Sequence, residues 1–560
     1  MTSSPFDFTD YEIDSASFWA INRCANKPII TTGFFMDYRP HYSLYCAIIV
    51  SLGGFVFGFD ASVISGVIGA VTTEFNLTPI ESGFVVAAPT LSALVGTTII
   101  GPLSDALGRK KVLIIIAFLY VLSALASAFA TSYFMLVAAR ALGGFAFASL
   151  VIAPLYIGEI SPAQSRGKRV SLNQLNIVIG LSVAYFTNYF ILHISASGAS
   201  WVSTLGIDVH TWRWMLGLEI VPALVFFIAL FSISDSPRWL MLKGRSDEAR
   251  KVVATLLPAE QVEAEIDIIV QSAAVDAGSL WARIGAIFGP KMRLALVVGV
   301  IVGITQQITG INAIFFYAPT IFEQSGIGTN AAFAQAVLVG VINVVFTLFA
   351  MALIDKWGRK PLLIFGLSGI AISMALCTYG FAQATYELTP SSITQLQQLD
   401  SADRGFDARS LGGMVGKTYA SDVEFKAALK ELIGASAARD HESELIKSSI
   451  QINATLILIG ILGFVASFAI SLGPVMWVLF SEIFPNQLRG VAISLVGLLN
   501  SMVSFTVQLI FPWELATLGA ALTFSSYGIF AVIGLLLVIW LLPETKGRSL
   551  EELETLFAKK

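Results

Sequence analysis

Apolar runs long enough to cross a bilayer as a helix, about 20 residues each, recur along the chain. They fall near 44–70, 81–103, 111–130, 133–157, 171–193 and 211–233, then near 293–318, 331–353, 361–383, 452–480, 489–512 and 518–541. The pattern predicts an all-α membrane protein with twelve transmembrane helices in two six-helix bundles, 44–233 and 292–541. Residues 234–291 between the bundles include "SDEARKVVATLLPAEQVEAEIDIIV", charged and helix-compatible, and read as a cytoplasmic helical linker. A polar stretch at 384–451, between the ninth and tenth helices, reads as a small extracytoplasmic insertion with helical runs such as "DVEFKAALKELI". Segments 1–43 and 542–560 remain as the cytoplasmic termini.

Composition agrees: 56% of the 560 residues are hydrophobic, 13% are charged and the mean hydropathy is +0.77. A net charge of −4 offers no basic excess for nucleic acid. Cys24, Cys46 and Cys377, and His41, His193, His210 and His441, are scattered, so neither a metal site nor a disulfide framework nor a cofactor is expected. The acidic, polar N-terminus does not read as a cleaved signal peptide.

Basic loops orient the chain. "GRKK" (108–111), "RGKR" (166–169), "PRWLMLKGR" (237–245), "KWGRK" (356–360) and "KGR" (546–548) all fall on one side, which makes both termini and the linker cytoplasmic in a cell membrane. The halves also repeat. "SDALGRKK" (104–111) matches "IDKWGRKP" (354–361) at an offset of 250, and "GEISPAQSRG" (158–167) matches "SEIFPNQLRG" (481–490) at 323. The growing offset locates the insertion at 384–451. Duplicated halves are one way of building a secondary transporter that rocks about a midplane site; a record of gene duplication alone is the plainer alternative.

Six motifs in order, the two Gly-Arg-Lys loops, "SPRWL" (236–240), "QQITGIN" (306–312), "GPVMW" (473–477) and "PETKGRSLEE" (543–552), resemble the sugar porter branch of the major facilitator superfamily, most of all bacterial xylose/proton symporters. The resemblance covers about residues 45–556 outside the insertion. It implies alternating-access import of a monosaccharide of the xylose or hexose class with a proton, by a monomer in the bilayer. A facilitative sugar or polyol uniporter and a non-transporting sugar sensor are the alternatives. No nucleophile with a base, phosphate loop or metal cluster points to an enzyme.

A charge near the bilayer centre costs roughly 2.5–3.5 kcal/mol on insertion scales, so it normally has a partner and a task. Asp60 in "FGFDASVISG" and Arg140 in "AARALGGF" are the clearest pair, with Glu219 a second carboxylate. An arbitrary buried pair merely orders helices; the resemblance favours a proton carrier, because proton-coupled members have Asp at the position of Asp60 where many uniporters have Asn. Sugar hydroxyls both donate and accept, as amides do. Gln306, Gln307 and Asn312 flank Gly310, where a weakened helix can turn side chains towards a cavity. The resemblance adds Gln174, Asn343, Gly473, Trp477 and Asn500, and marks two departures: Phe316 where many relatives carry Tyr, and Ser501 where an aromatic usually follows the amide. The repeated charges Asp105, Arg109, Glu159, Arg166, Asp355, Arg359, Glu482 and Arg489 are expected to form cytoplasmic ion pairs that lock the outward-facing state, with "SPRWL" and "PETKGR" in the same inner gate. "NLT" (76–78) fits a glycosylation acceptor but is assigned no role.

Overall fold

A computed structural model describes residue 39 and residues 41–162, 165–273, 280–400, 408–485, 488–548 and 552–553. Cys24 and nearly all of the 1–43 segment therefore lie outside the described residues, as do 549–551 and 554–560.

Among the described residues twelve helical spans are long and apolar enough to cross a membrane. The first six are α1 (Tyr42–Gly66), α2 (Pro79–Leu107), α3 (Arg109–Ala128), α4 (Tyr133–Ile160), α5 (Arg166–Ser195) and α6 (Thr211–Ser232). The second six are α7 (Pro290–Glu323), α8 (Thr329–Trp357), α9 (Arg359–Ala382), α10 (Ala454–Ile483), α11 (Arg489–Thr517) and α12 (Gly519–Leu541). Local signals set their ends. Thr78 and Glu81 cap α2 reciprocally, Thr78 N to Glu81 Oε2 at 2.9 Å and Glu81 N to Thr78 Oγ1 at 3.3 Å, with Pro79 at the first helical position. Gly108 and Gly358, with φ of 97° and 95°, make the same sharp turn between α2 and α3 and between α8 and α9. The sequence repeat is therefore a repeat of backbone geometry.

Helical order breaks in the first and fourth span of each half, and also in α6 between Gly217 and Ile220. α1 ends in a 3-10 turn at Ile64–Gly66, α4 divides at Phe147–Ala148, α7 at Gly310 (φ 91°) and α10 at Ser471 (φ −126°, ψ −95°). Interrupted spans at matching places in the two halves supply irregular backbone where a cavity needs it.

The halves meet along α2 with α11 and α5 with α8, and the tightest meeting points lie towards one end. Tyr185 Oη of α5 donates to Phe315 O of α7 at 2.5 Å, and an added Cβ at Gly83 of α2 would stand 2.0 Å from Leu509 O of α11. The insertion sits at this same end. It begins and finishes on a three-stranded antiparallel sheet, β1 (Thr385–Glu387), β2 (Thr418–Tyr419) and β3 (Ile450–Gln451), in the order β2–β1–β3 with Tyr386 opposite Tyr419 and Ile450. Tyr386, Leu411, Phe425 and Leu445 form its own core. The run "DVEFKAALKELI" is a helix, Asp422–Ile433, and the helices of the insertion are accompanied by this small sheet. The insertion is tied to both halves. Lys426 bridges Glu442 (2.8 Å) and Gln324 at the end of α7 (2.9 Å), and Arg439 donates to Leu77 O (3.0 Å) and to Asn76 Oδ1, in the loop before α2. At the opposite end lie the linker helices Pro237–Leu242, Ser246–Leu256, Ala259–Ala273 and Leu280–Ile287.

Candidate functional site

Asp60 of α1 is wholly buried and Arg140 of α4 nearly so, and the two form an ion pair through Asp60 Oδ1; Arg140 Nη2 also reaches Asp60 O at 3.3 Å. Asp60 Oδ2 and Arg140 Nε have no hydrogen-bond partner. Glu219 is 1% exposed and sits where α6 is interrupted between Gly217 and Ile220; it neighbours both Asp60 and Arg140, and its Oε1 is also unpartnered. The expected pair and its second carboxylate are therefore one cluster. Sequence reasoning missed its surroundings. An added Cβ at Gly143 would stand 3.2 Å from Asp60 Oδ2 and 2.6 Å from Ser123 Oγ, so this glycine keeps a space open beside the free oxygen. The "GG" after Arg140 was the available signal.

The amides of α7 and α11 converge. Asn500 Nδ2 donates to Gly303 O and to Gln306 Oε1, both at 2.8 Å. Gln307 Nε2 donates to Gln306 Oε1 (3.1 Å) and Asn500 Oδ1 (3.3 Å), and Gln307 Oε1 accepts from Asn312 Nδ2 (2.8 Å). Gln306 Nε2 reaches Leu472 O at the break in α10 (3.3 Å). The left-handed turn at Gly310 is what lets Gln307 and Asn312, five residues apart across it, meet. The cluster continues through Ser504 and Gln508 to Thr90 of α2, residues that were not singled out from the sequence because lone polar side chains in an apolar helix look like interhelical glue.

The other expected ligands are placed differently. Gln174 on α5, Asn343 on α8 and Trp477 on α10 make no side-chain hydrogen bond among the described residues; Trp477 is 47% exposed and packs edge-on against Phe480. Phe316 is half-buried on α7, and Gly473 lies two residues beyond the break at Ser471 rather than at it.

The repeated charges form ion pairs, apart from Arg166 and Arg489. Arg109 grips Glu159 with two hydrogen bonds of 3.1 Å and Asp105 at 2.8 Å; Arg359 contacts Glu482 at 2.7 Å and Asp355 at 3.3 Å. Each set lies within one half, and among the described residues no ion pair joins the two halves. Arg166 is exposed and Arg489 donates to Phe484 O at 3.2 Å; neither makes an ion pair among the described residues. These charges fasten helix ends to one another inside each bundle. Asp235 Oδ1 accepts from Lys110 N (3.3 Å) and Glu544 from Arg359 N and Lys360 N (3.1 and 3.0 Å), so Asp235, just before "SPRWL", and Glu544 of "PETKGR" each set a carboxylate on the N-terminus of a Gly-Arg-Lys helix.

Two interrupted six-helix bundles around a buried charge cluster and a convergent set of amides define a secondary transporter. The family description "Sugar (and other) transporter" matches residues 46–394 and 436–557, and the chain belongs to that family. The stretch left unmatched falls inside the insertion. Relatives include the arabinose-proton symporter of Bacillus subtilis (strain 168), 33% identical over 511 residues and covering 91% of this chain and 93% of the relative, and the D-xylose-proton symporter of Escherichia coli (strain K12), 31% identical over 558 residues and covering 93% and 97%. Among solved structures, the inward open conformation of the xylose transporter XylE from E. coli aligns with a TM-score of 0.70 at 29% identity, covering 92% of this chain and all of that one.

Proposed function

We propose that this protein imports a monosaccharide of the xylose or hexose class together with a proton by alternating access. The observation that carries the reading is the state of Asp60: fully buried, one oxygen on Arg140 and the other free. With all three groups ionised, the Asp60–Arg140–Glu219 cluster carries a net −1. One proton makes it neutral, and a neutral cluster is far less costly to seal from water. When Asp60 takes the proton, Arg140 still faces Glu219 and is not left as a lone buried charge. Release to the inside restores the Asp60–Arg140 pair, the arrangement present here.

Gln306, Gln307, Asn312 and Asn500 form the sugar-facing wall in the second half. The unengaged Gln174, Asn343 and Trp477 complete it, two amides for hydroxyls and an indole for the C–H face, with Phe316 and Gly473 alongside. The positively charged loops support a cytoplasmic linker and termini, with the insertion outside. In that orientation the halves are packed tightly on the outer side, which is closed. Asp105, Arg109 and Glu159, with Asp355, Arg359 and Glu482, hold each half rigid as the halves rock, and Arg166 and Arg489 supply positive charge at the inner surface.

The test is a pH-electrode recording on proteoliposomes given D-xylose, L-arabinose, D-glucose, D-galactose or myo-inositol. Alkalinisation outside the vesicles with one sugar supports symport. Exchange of labelled sugar without any pH change makes the protein a uniporter, and no exchange of any compound favours a sensor.

A further inference from the structure

The hydrogen-bond inventory of the amide cluster closes at every atom but a few, and two of those lie side by side. Ser504 of α11 is 5% exposed, one turn beyond Asn500. Its Oγ accepts from Asn312 Nδ2 at 2.6 Å and from Gln508 Nε2 at 2.7 Å. A serine oxygen has two lone pairs and one proton. Both lone pairs are taken, and the proton has no acceptor among the described residues. Asn312 has the opposite vacancy: its two N–H bonds go to Gln307 and Ser504, while its Oδ1 accepts from no described residue.

Thr90 Oγ1, on α2 of the other half, donates to Gln508 Oε1 at 3.0 Å, and the NH2 end of this 1%-exposed amide faces Ser504. Tyr317 Oη adds a bond to Gln508 O at 3.2 Å.

We propose that Ser504 is a substrate-contacting residue: its O–H and Asn312 Oδ1 together read one sugar hydroxyl, which accepts from the first and donates to the second. Gln508 is the positioning residue that aims the Ser504 proton, and Thr90 fixes Gln508 from across the interface between the halves. This rests on the reading of the amide cluster as the sugar site. A buried donor and acceptor left open cost stability until a ligand closes them, and the ligand that lacks the matching hydroxyl is penalised.

The experiment is equilibrium counterflow, which needs no proton gradient, in proteoliposomes of wild type, Ser504→Ala, Ser504→Thr, Thr90→Val and Thr90→Ser, with D-xylose, D-glucose and their monodeoxy derivatives as competitors. In the wild type one deoxy derivative is expected to bind about three- to tenfold more weakly than its parent. In Ser504→Ala the parent weakens by a similar factor and that derivative loses nothing more, while the penalties of the other derivatives persist. Ser504→Thr retains the discrimination, Thr90→Val reduces it and Thr90→Ser restores it. Uniform weakening of every sugar in Ser504→Ala, with all deoxy penalties unchanged, would give Ser504 a structural role only and overturn the proposal. Failure of the wild type to exchange any of these sugars would overturn the monosaccharide reading itself, and this proposal with it.

Discussion

Replacing Gly83 should hold the outer side open. Gly83 faces Leu509 across the interface between the halves, and an added Cβ would stand 2.0 Å from a backbone carbonyl oxygen where ordinary contact begins near 3.4 Å. A carbonyl inside a helix cannot swing aside, so α2 and α11 must separate by roughly 1 Å or more at that point. Overpacking of this kind costs about 3 kcal/mol. Because the contact exists only when the outer side is closed, that cost falls on the closed state alone, and an even equilibrium becomes about 1:150. Gly180→Ala is the control: its Cβ would meet Phe55 O at the same 2.0 Å, but between α1 and α5 of one half, so it lowers stability without favouring either conformation. Spin labels at the exposed outer positions Ser203 and Asn330 report the separation. For Gly83→Leu the distance lengthens, counterflow stops and thermal stability is retained. A wild-type distance distribution with counterflow intact in Gly83→Leu would refute the reasoning.

Arg439→Ala removes the two hydrogen bonds that tie the insertion to Asn76 and Leu77, and is expected to shift the same label distances towards the open state by a factor of about five. Arg359→Ala strips Glu482 of its cation and should lower stability by about 2 kcal/mol in thermal unfolding, whereas Asp355→Asn should change little, because Asp355 is 80% exposed. Arg213, bonded to both carboxylate oxygens of Glu74 at 3.1 and 2.8 Å, holds that carboxyl below the usual range, assisted by Trp212. A depressed folded-state value contributes stability above the unfolded pKa of about 4.3, lost as pH falls through the lower folded value. The Tm difference between wild type and Glu74→Gln should therefore be full at pH 7 and shrink below about pH 4; a difference constant down to pH 3 would contradict the assignment.

Most of the membrane architecture was readable because each span must satisfy its backbone internally and cover itself with apolar side chains, which leaves a long, strong signal. The repeated Gly-Arg-Lys loops were readable for a second reason: Gly108 and Gly358 occupy a backbone conformation that other residues rarely adopt. Asp60 and Arg140 stood out because charge is rare at that depth. The sheet of the insertion was hidden, since strands of two or three residues are too short to show alternation. Ion-pair partners were hidden as well. The spacing of Asp105, Arg109 and Glu159 is the same whether they bond within a half or across it, and only the fold decides. Ser504 and Gln508 carried no motif at all; their meaning comes from Thr90 and Asn312, which are distant in sequence.

Accumulation by Asp60→Asn addresses the coupling directly. A potential of 100 mV supplies about 2.3 kcal/mol per proton, which sustains a sugar ratio of about 50. Proteoliposomes holding wild type under that potential should concentrate the transported sugar towards this limit, and Asp60→Asn should stop at equality while exchanging sugar in counterflow. An Asp60→Asn protein that still accumulates sugar against its gradient would contradict the assignment of Asp60 as the proton carrier.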